Sequence, residues 1–227
     1  MKSTKEKRIE YQKRVRNRVL LWLGAVMSII GVVCNIVSVK VIPLFDTQYT
    51  LSMSAVFFVI MFFISNFVNE FWNKEQAIYL TFVSFTCQLI AAGLLGITVL
   101  MPSTDSNIGT AFNTAIKSNV IFLVSGIIAY LISAGANIIT YSGIRVSGLS
   151  IGMSSALALV ISQAVDTFIF STLGYGAAFN WIFDGGDFWG RIWPIFLGQF
   201  IIKLIFIAVL SPIFIGVCGM YKKYINN

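Results

Sequence analysis

LSMSAVFFVIMFFISNFV, residues 51–68, is the stretch on which the fold turns. Its apolar residues neither alternate like a half-buried strand nor recur at the 3.6-residue spacing of an amphipathic helix. They run on, as a helix needs when it crosses roughly 30 Å of hydrocarbon with about 20 residues. Strands of a membrane barrel would alternate apolar and polar over about 10 residues, so the helix is the better reading. Extended to residue 71, this is the second of six such runs; the others cover residues 19–39, 78–101, 120–141, 149–172 and 193–221. The expected fold class is all-α, an integral membrane bundle of six transmembrane helices over residues 19–221. A basic tail, residues 1–18, precedes it and a short tail, residues 222–227, follows it. Composition agrees: 57% of the 227 residues are hydrophobic and 11% charged, against about 25% charged in a soluble domain. The polar stretches 102–117 and 174–191 read as loops.

Cytoplasmic loops accumulate Lys and Arg. With the N-terminus inside, the cytoplasmic side holds Lys2, Lys5, Lys7, Arg8, Lys13, Arg14, Arg16 and Arg18, together with Lys74, Arg145, Lys222 and Lys223. The other side holds Lys40, Lys117 and Arg191. Both termini are therefore expected in the cytoplasm, in a bacterial inner membrane. The net charge of +7 reads as this topology signal, not as a nucleic-acid-binding surface, because the tail is short, carries Glu6 and Glu10 and abuts the first helix. Its first 18 residues are too charged for a signal peptide's n-region, so the first helix is expected to stay.

Several chemistries are disfavoured. There is no histidine, and Cys34, Cys87 and Cys218 lie in separate apolar runs, so neither a zinc site nor a His-activated nucleophile can be assembled. No cofactor pattern is present, and no phosphate loop for ATP is found. An intramembrane aspartyl protease needs two carboxylates at one site, and Asp166 is the only aspartate inside an expected helix. The expected partners are the lipid bilayer and a small-molecule substrate; the sequence is silent on a homo-oligomer.

An ionisable side chain at membrane depth costs at least about 2.5–3.5 kcal/mol, so it faces the bundle interior with a partner or a task. Glu70, Asp166 and Lys203 are the candidates. Ser162 and Gln163 precede Asp166 by four and three residues and so share its helix face, and Gln199 stands in the same relation to Lys203. Such a cluster suits a small polar ligand; a structural Asp–Lys bridge is the plainer alternative. Glu70 lies near Asn66 and Asn69, with Lys74 four residues on to neutralise it. Trp72, Trp181, Trp189 and Trp193 fall near helix ends, where Trp anchors to the interface. The loop aromatics Phe179, Trp181, Phe183, Phe188 and Trp189 also suit stacking on a planar ligand. One internal echo stands out: AYLISAGANIITYS, residues 129–142, aligns with ALVISQAVDTFIFS, residues 158–171. The match sets Ser133 on Ser162 and Asn137 on Asp166, as in transporters built from repeats.

ISQAVDTFIF, residues 161–170, closely resembles the Ser-Gln-x-x-Asp-x-x-Ile-Phe signature of the queuosine precursor transporters, also called the vitamin uptake transporter or YhhQ family. NIVSVK at 35–40 is similar to the family's Asn-Ile-x-x-x-Lys segment, and SNFVNEFWN at 65–73 to its Asp-x-x-x-Glu-x-Tyr-Gly segment. GQFIIKLIFIAVLSPIF at 198–214 resembles its final helix, with Lys203 and Pro212 in place. The resemblance implies a six-helix bundle related to the substrate-binding subunits of energy-coupling vitamin transporters. It also implies import of a 7-deazaguanine, such as 7-cyano-7-deazaguanine, its aminomethyl form or queuine. The alternative is a subunit of such a vitamin transporter working with a partner ATPase. Gln163, Asp166, Glu70 and Lys203 match the motifs. Asn66 stands where an Asp is usual, Asn73 where a Gly is usual, and Ala134 and Asn137 where a first Gln-x-x-Asp copy is expected. The candidate substrate-binding set is thus Asp166, Gln163, Lys203, Gln199, Glu70, Asn66 and Asn137.

Overall fold

The computed structural model describes residues 4–38, 40–43 and 50–226. Lys2 and Val39 lie outside the described residues, as do the side chains of Lys5, Lys7, Arg8 and Lys117. The described chain runs as α1 (Thr4–Val37), β1 (Val41–Pro43), β2 (Thr50–Ser52), α2 (Ser54–Phe71), α3 (Lys74–Leu100), α4 (Ser106–Val146) and α5 (Ile151–Phe170). A π-helical segment, Ser171–Tyr175, continues α5 into the single turn α6 (Gly176–Ala178), and α7 (Phe188–Asn226) closes the chain. The protein is an all-α membrane bundle. Among the described residues, five helices are long and apolar enough to cross a membrane, and the shorter apolar stretch Phe57–Phe71 lies in α2.

The helices begin where side chains supply the bonds that free N–H groups lack. Asn73 accepts from the Gln76 N–H at 2.8 Å and starts α3; Asp105 accepts from Asn107 and Ile108 and starts α4. Ser150 accepts from Met153 at 3.3 Å and starts α5. The Asp105 cap corrects the sequence reading: residues 106–117, expected as loop, are helical and extend α4 beyond the apolar span Val120–Val146. α1 likewise begins at Thr4, so the described part of the basic tail continues the first helix outward.

The sequence reading held no strand. β1 and β2 pair antiparallel, with Val41 opposite Ser52 and Pro43 opposite Thr50. Ser52 pins the hairpin by donating to the Ser38 carbonyl at 2.9 Å. α2 lies at the centre, touching α1, α3, α4, α5 and α7, and Val59, Met61, Phe62 and Val68 on different faces of it are all buried. That is why its run is apolar all round. The Arg16 guanidinium sits 5.6 Å over Trp72, and Trp72 stacks on Tyr221 at 5.6 Å. The start of the chain, the α2–α3 turn and the C-terminal helix therefore share one end of the bundle, the termini end. The hairpin occupies the other.

Candidate functional site

Near the hairpin end, α5 carries Asp166 and α7 carries Lys203. The Lys203 ammonium donates to Asp166 Oδ2 at 2.6 Å, with the two side chains only 3% and 5% exposed. Ser133 of α4 donates to the other oxygen, Oδ1, at 3.1 Å. A small cavity adjoins the pair, lined by Ser54, Ala55, Phe58, Gly126, Asp166, Phe170, Gln199 and Lys203. It leaves about 10 Å³ for the centre of a water molecule, the space of about one water. In this conformation the acid and base neutralise each other. A vitamin-sized ligand enters only if the pair separates and the walls move, since ligand pockets run to about 300–1,000 Å³.

The backbone around the cavity is unusual. The π turn Ser171–Tyr175 follows directly on the lining residue Phe170, and π turns recur at functional sites. Gly126 lets neighbours approach: a Cβ there would lie 3.3 Å from Asn35 Oδ1 and 3.7 Å from the Phe170 ring. Asn35, from the NIVSVK segment, donates to Gln88 Oε1 at 2.9 Å and ties α1 to α3. Gln199 donates to the Tyr175 hydroxyl at 3.2 Å.

Gln163 is fully buried, 0% exposed, and neither its amide nitrogen nor its amide oxygen has a hydrogen-bond partner. Thr167 and Ser171, four and eight residues on, are also buried with unpartnered hydroxyls. A buried polar group left unpaired costs about 1–3 kcal/mol, and α5 with the π turn that continues it presents three at one-turn spacing.

The seven candidates separate into three groups. Asp166, Lys203 and Gln199 line the cavity, with Gln163 one turn from Asp166 on α5. Asn66 and Asn137 belong to a second cluster, in which Asn137 Nδ2 donates to Asn66 Oδ1 at 2.7 Å and Asn66 Nδ2 to Ser155 Oγ at 2.9 Å. Ser162 bonds the Leu159 carbonyl at 3.1 Å and approaches Asn137 Oδ1 at 3.5 Å, so it lies with this cluster instead of with Asp166. Glu70 stands apart at the termini end. Arg145 holds it with a fork, Nε to Oε2 at 2.8 Å and Nη2 to Oε1 at 2.7 Å, and the Tyr141 hydroxyl adds a third bond at 2.7 Å. Lys74, the expected partner, is replaced by Arg145, because α4 brings a planar bidentate donor against the carboxylate.

The aromatic loop spends its rings on itself. Phe179 stacks between Tyr175 (6.2 Å) and Trp181 (5.0 Å), and the Arg191 guanidinium covers Trp181 at 5.7 Å. Arg191 also pairs with Asp184. The Gly186 N–H, then Arg191, hold the Asp184 carboxyl below the usual carboxylate range.

Sequence reasoning gave Ser133 only as a member of the echo and missed Ser54, Phe58 and Gly126. These are small or aromatic residues in apolar runs, and only the meeting of α2, α4, α5 and α7 makes them walls. It also missed Tyr175, the partner of Gln199, which lies in a stretch expected as loop.

An apolar bundle that keeps an acid–base pair and an unpaired amide in its interior defines a multi-pass membrane protein with an intramembrane polar site. A family model described as "Putative vitamin uptake transporter" matches residues 52–217, most of the chain and every residue of the cavity wall. The protein belongs to this family of membrane transporters. No curated protein and no solved structure matches the chain.

Proposed function

We propose that the protein imports a 7-deazaguanine precursor of queuosine across a bacterial inner membrane, with both termini in the cytoplasm, and that Asp166, Lys203, Gln163 and Gln199 bind it. The observation that carries this reading is the Gln163 amide, fully buried and unpartnered, one turn from a buried ion pair. A guanine-like edge offers a ring N–H and an amino group side by side, so one carboxylate accepts both bonds. Lys203 or an amide donates to the neighbouring carbonyl oxygen. Phe58 and Phe170 in the cavity wall suit the faces of a flat heterocycle. Binding then inserts the ligand between Asp166 and Lys203, so each charge exchanges its protein partner for a ligand atom and neither is left bare. Asn66 and Asn137 lie further along the same interior and Glu70 beyond them, as members of the wider binding set.

The test is uptake of 7-cyano-7-deazaguanine into a strain unable to make it. Asp166→Asn and Lys203→Ala are each expected to lower uptake at least 100-fold. Unchanged uptake in both variants overturns the assignment.

A further inference from the structure

The matching positions of the α4 and α5 echo bond to each other crosswise. Ser133 pairs with Ser162 in the alignment, and Asn137 with Asp166. A two-fold axis relating two units turns each contact into its reciprocal. Ser133 facing Asp166 Oδ1 at 3.1 Å and Ser162 facing Asn137 Oδ1 at 3.5 Å are such a reciprocal pair, and each hydroxyl shares its one proton with a carbonyl of its own helix, Tyr130 at 3.2 Å and Leu159 at 3.1 Å. α4 and α5 run antiparallel around a short turn, so the axis crosses them, as in inverted repeats whose interface holds a carrier's substrate. The symmetry stops at the third partner. Asp166 meets the ammonium of Lys203, whereas Asn137 meets the carboxamide of Asn66.

We propose that Asn66, Asn137, Ser155 and Ser162 form a second, uncharged binding station for the same small polar molecule, reached from the Asp166–Lys203 station. This rests on the reading of the Asp166 site given above. Ser162 is one turn of α5 from Asp166, about 6 Å along the axis. Two carboxamides and two hydroxyls supply both donors and acceptors, so they bond the donor–acceptor edge that the ion pair reads. They bond it more weakly, because charge-assisted bonds are about twice as strong as neutral ones. A weaker second station suits release. On α5 between the two stations lies Gln163, whose buried amide has no partner on either atom; a molecule moving from one station to the next supplies what it lacks. Beyond the second station the polar groups continue through Asn69, which donates to Ser142 at 3.1 Å, to Glu70 under Arg145 and Tyr141. These groups lead toward the termini end, where that ion pair closes the way.

Asn137→Asp is near-isosteric and turns the neutral station into a charged one. With 7-cyano-7-deazaguanine as the probe, the purified variant is expected to bind at least as tightly as the parent, while uptake into cells falls at least 10-fold because the molecule is retained. Uptake within two-fold of the parent, with Asp166→Asn still abolishing binding, overturns the second station and leaves the first standing. An Asp166→Asn variant that binds normally overturns the first reading, and the second with it. Should Asn137→Asp fail to fold or to bind, Ser155→Ala combined with Ser162→Ala makes the same comparison. Uptake is then expected to fall about 5-fold at unchanged affinity, and unchanged uptake overturns the station.

Discussion

Two ion pairs hold carboxylates inside one bundle, and they are built differently. Glu70 is saturated by its own chain: the Arg145 fork engages both oxygens and Tyr141 adds a third donor, with Arg145 30% exposed. Asp166 and Lys203 are almost dry, 5% and 3% exposed, and their contact is a single ammonium-to-oxygen bond. Lys203 has three N–H donors, and among the described residues only Asp166 accepts one. A carboxylate gripped by a rigid guanidinium closes a path, because the planar fork fixes its geometry. One facing a single ammonium and one hydroxyl, with an orphaned amide on the next turn, keeps bonding capacity for something else.

This contrast breaks first at the dry pair. Removing one partner leaves an uncompensated buried charge, which costs about 3–5 kcal/mol. Asp166→Ala is therefore expected to lower the thermal midpoint in detergent sharply, and the double change Asp166→Leu with Lys203→Met to recover most of the loss without restoring uptake. If the single change is stable, Lys203 has another partner and the comparison fails. Glu70→Gln is a smaller perturbation, because water reaches the pair; about 1–2 kcal/mol is expected. A cost equal to that of Asp166→Ala in the same melt would erase the distinction between the two pairs.

The smallest effect lies in the aromatic loop. The folded-state carboxyl of Asp184 lies below its ordinary range, so its contribution is complete above the unfolded value of about 4. It is lost as pH falls through the lower folded value. Acidification below about pH 4 is expected to loosen Arg191 from Trp181 and change the emission of a variant retaining Trp181 as its single tryptophan. Asp184→Asn should flatten that acid transition. A transition that survives Asp184→Asn belongs to another group.

The membrane fold was legible because its cause is written residue by residue: every side chain facing lipid must itself be apolar, so the runs show without knowledge of neighbours. The N-caps Asn73, Asp105 and Ser150 are equally local, yet hydropathy shows none of them, because polar residues outside the bilayer form helix and loop alike. The hairpin lay beyond reach, its strands being three residues each. Asp166 and Lys203 stand out in the sequence as costly charges, and a bridge between them is one of the two readings their burial allows. For Glu70 the sequence points to the wrong neighbour, because Lys74 is four residues away in the chain, whereas Arg145 is brought from α4.

By itself the sequence determined the solvent this protein folds in, the apolar runs that cross it, and the few groups whose burial demands a reason. Transfer from water is a property of each side chain, so it survives reading one residue at a time. Only the tertiary structure decided which acid meets which base, that Ser133 and Ser162 bond crosswise, and that Gln163 is left without a partner. A hydrogen bond depends on distances of a few tenths of an ångström, and those are set by how five helices pack around α2.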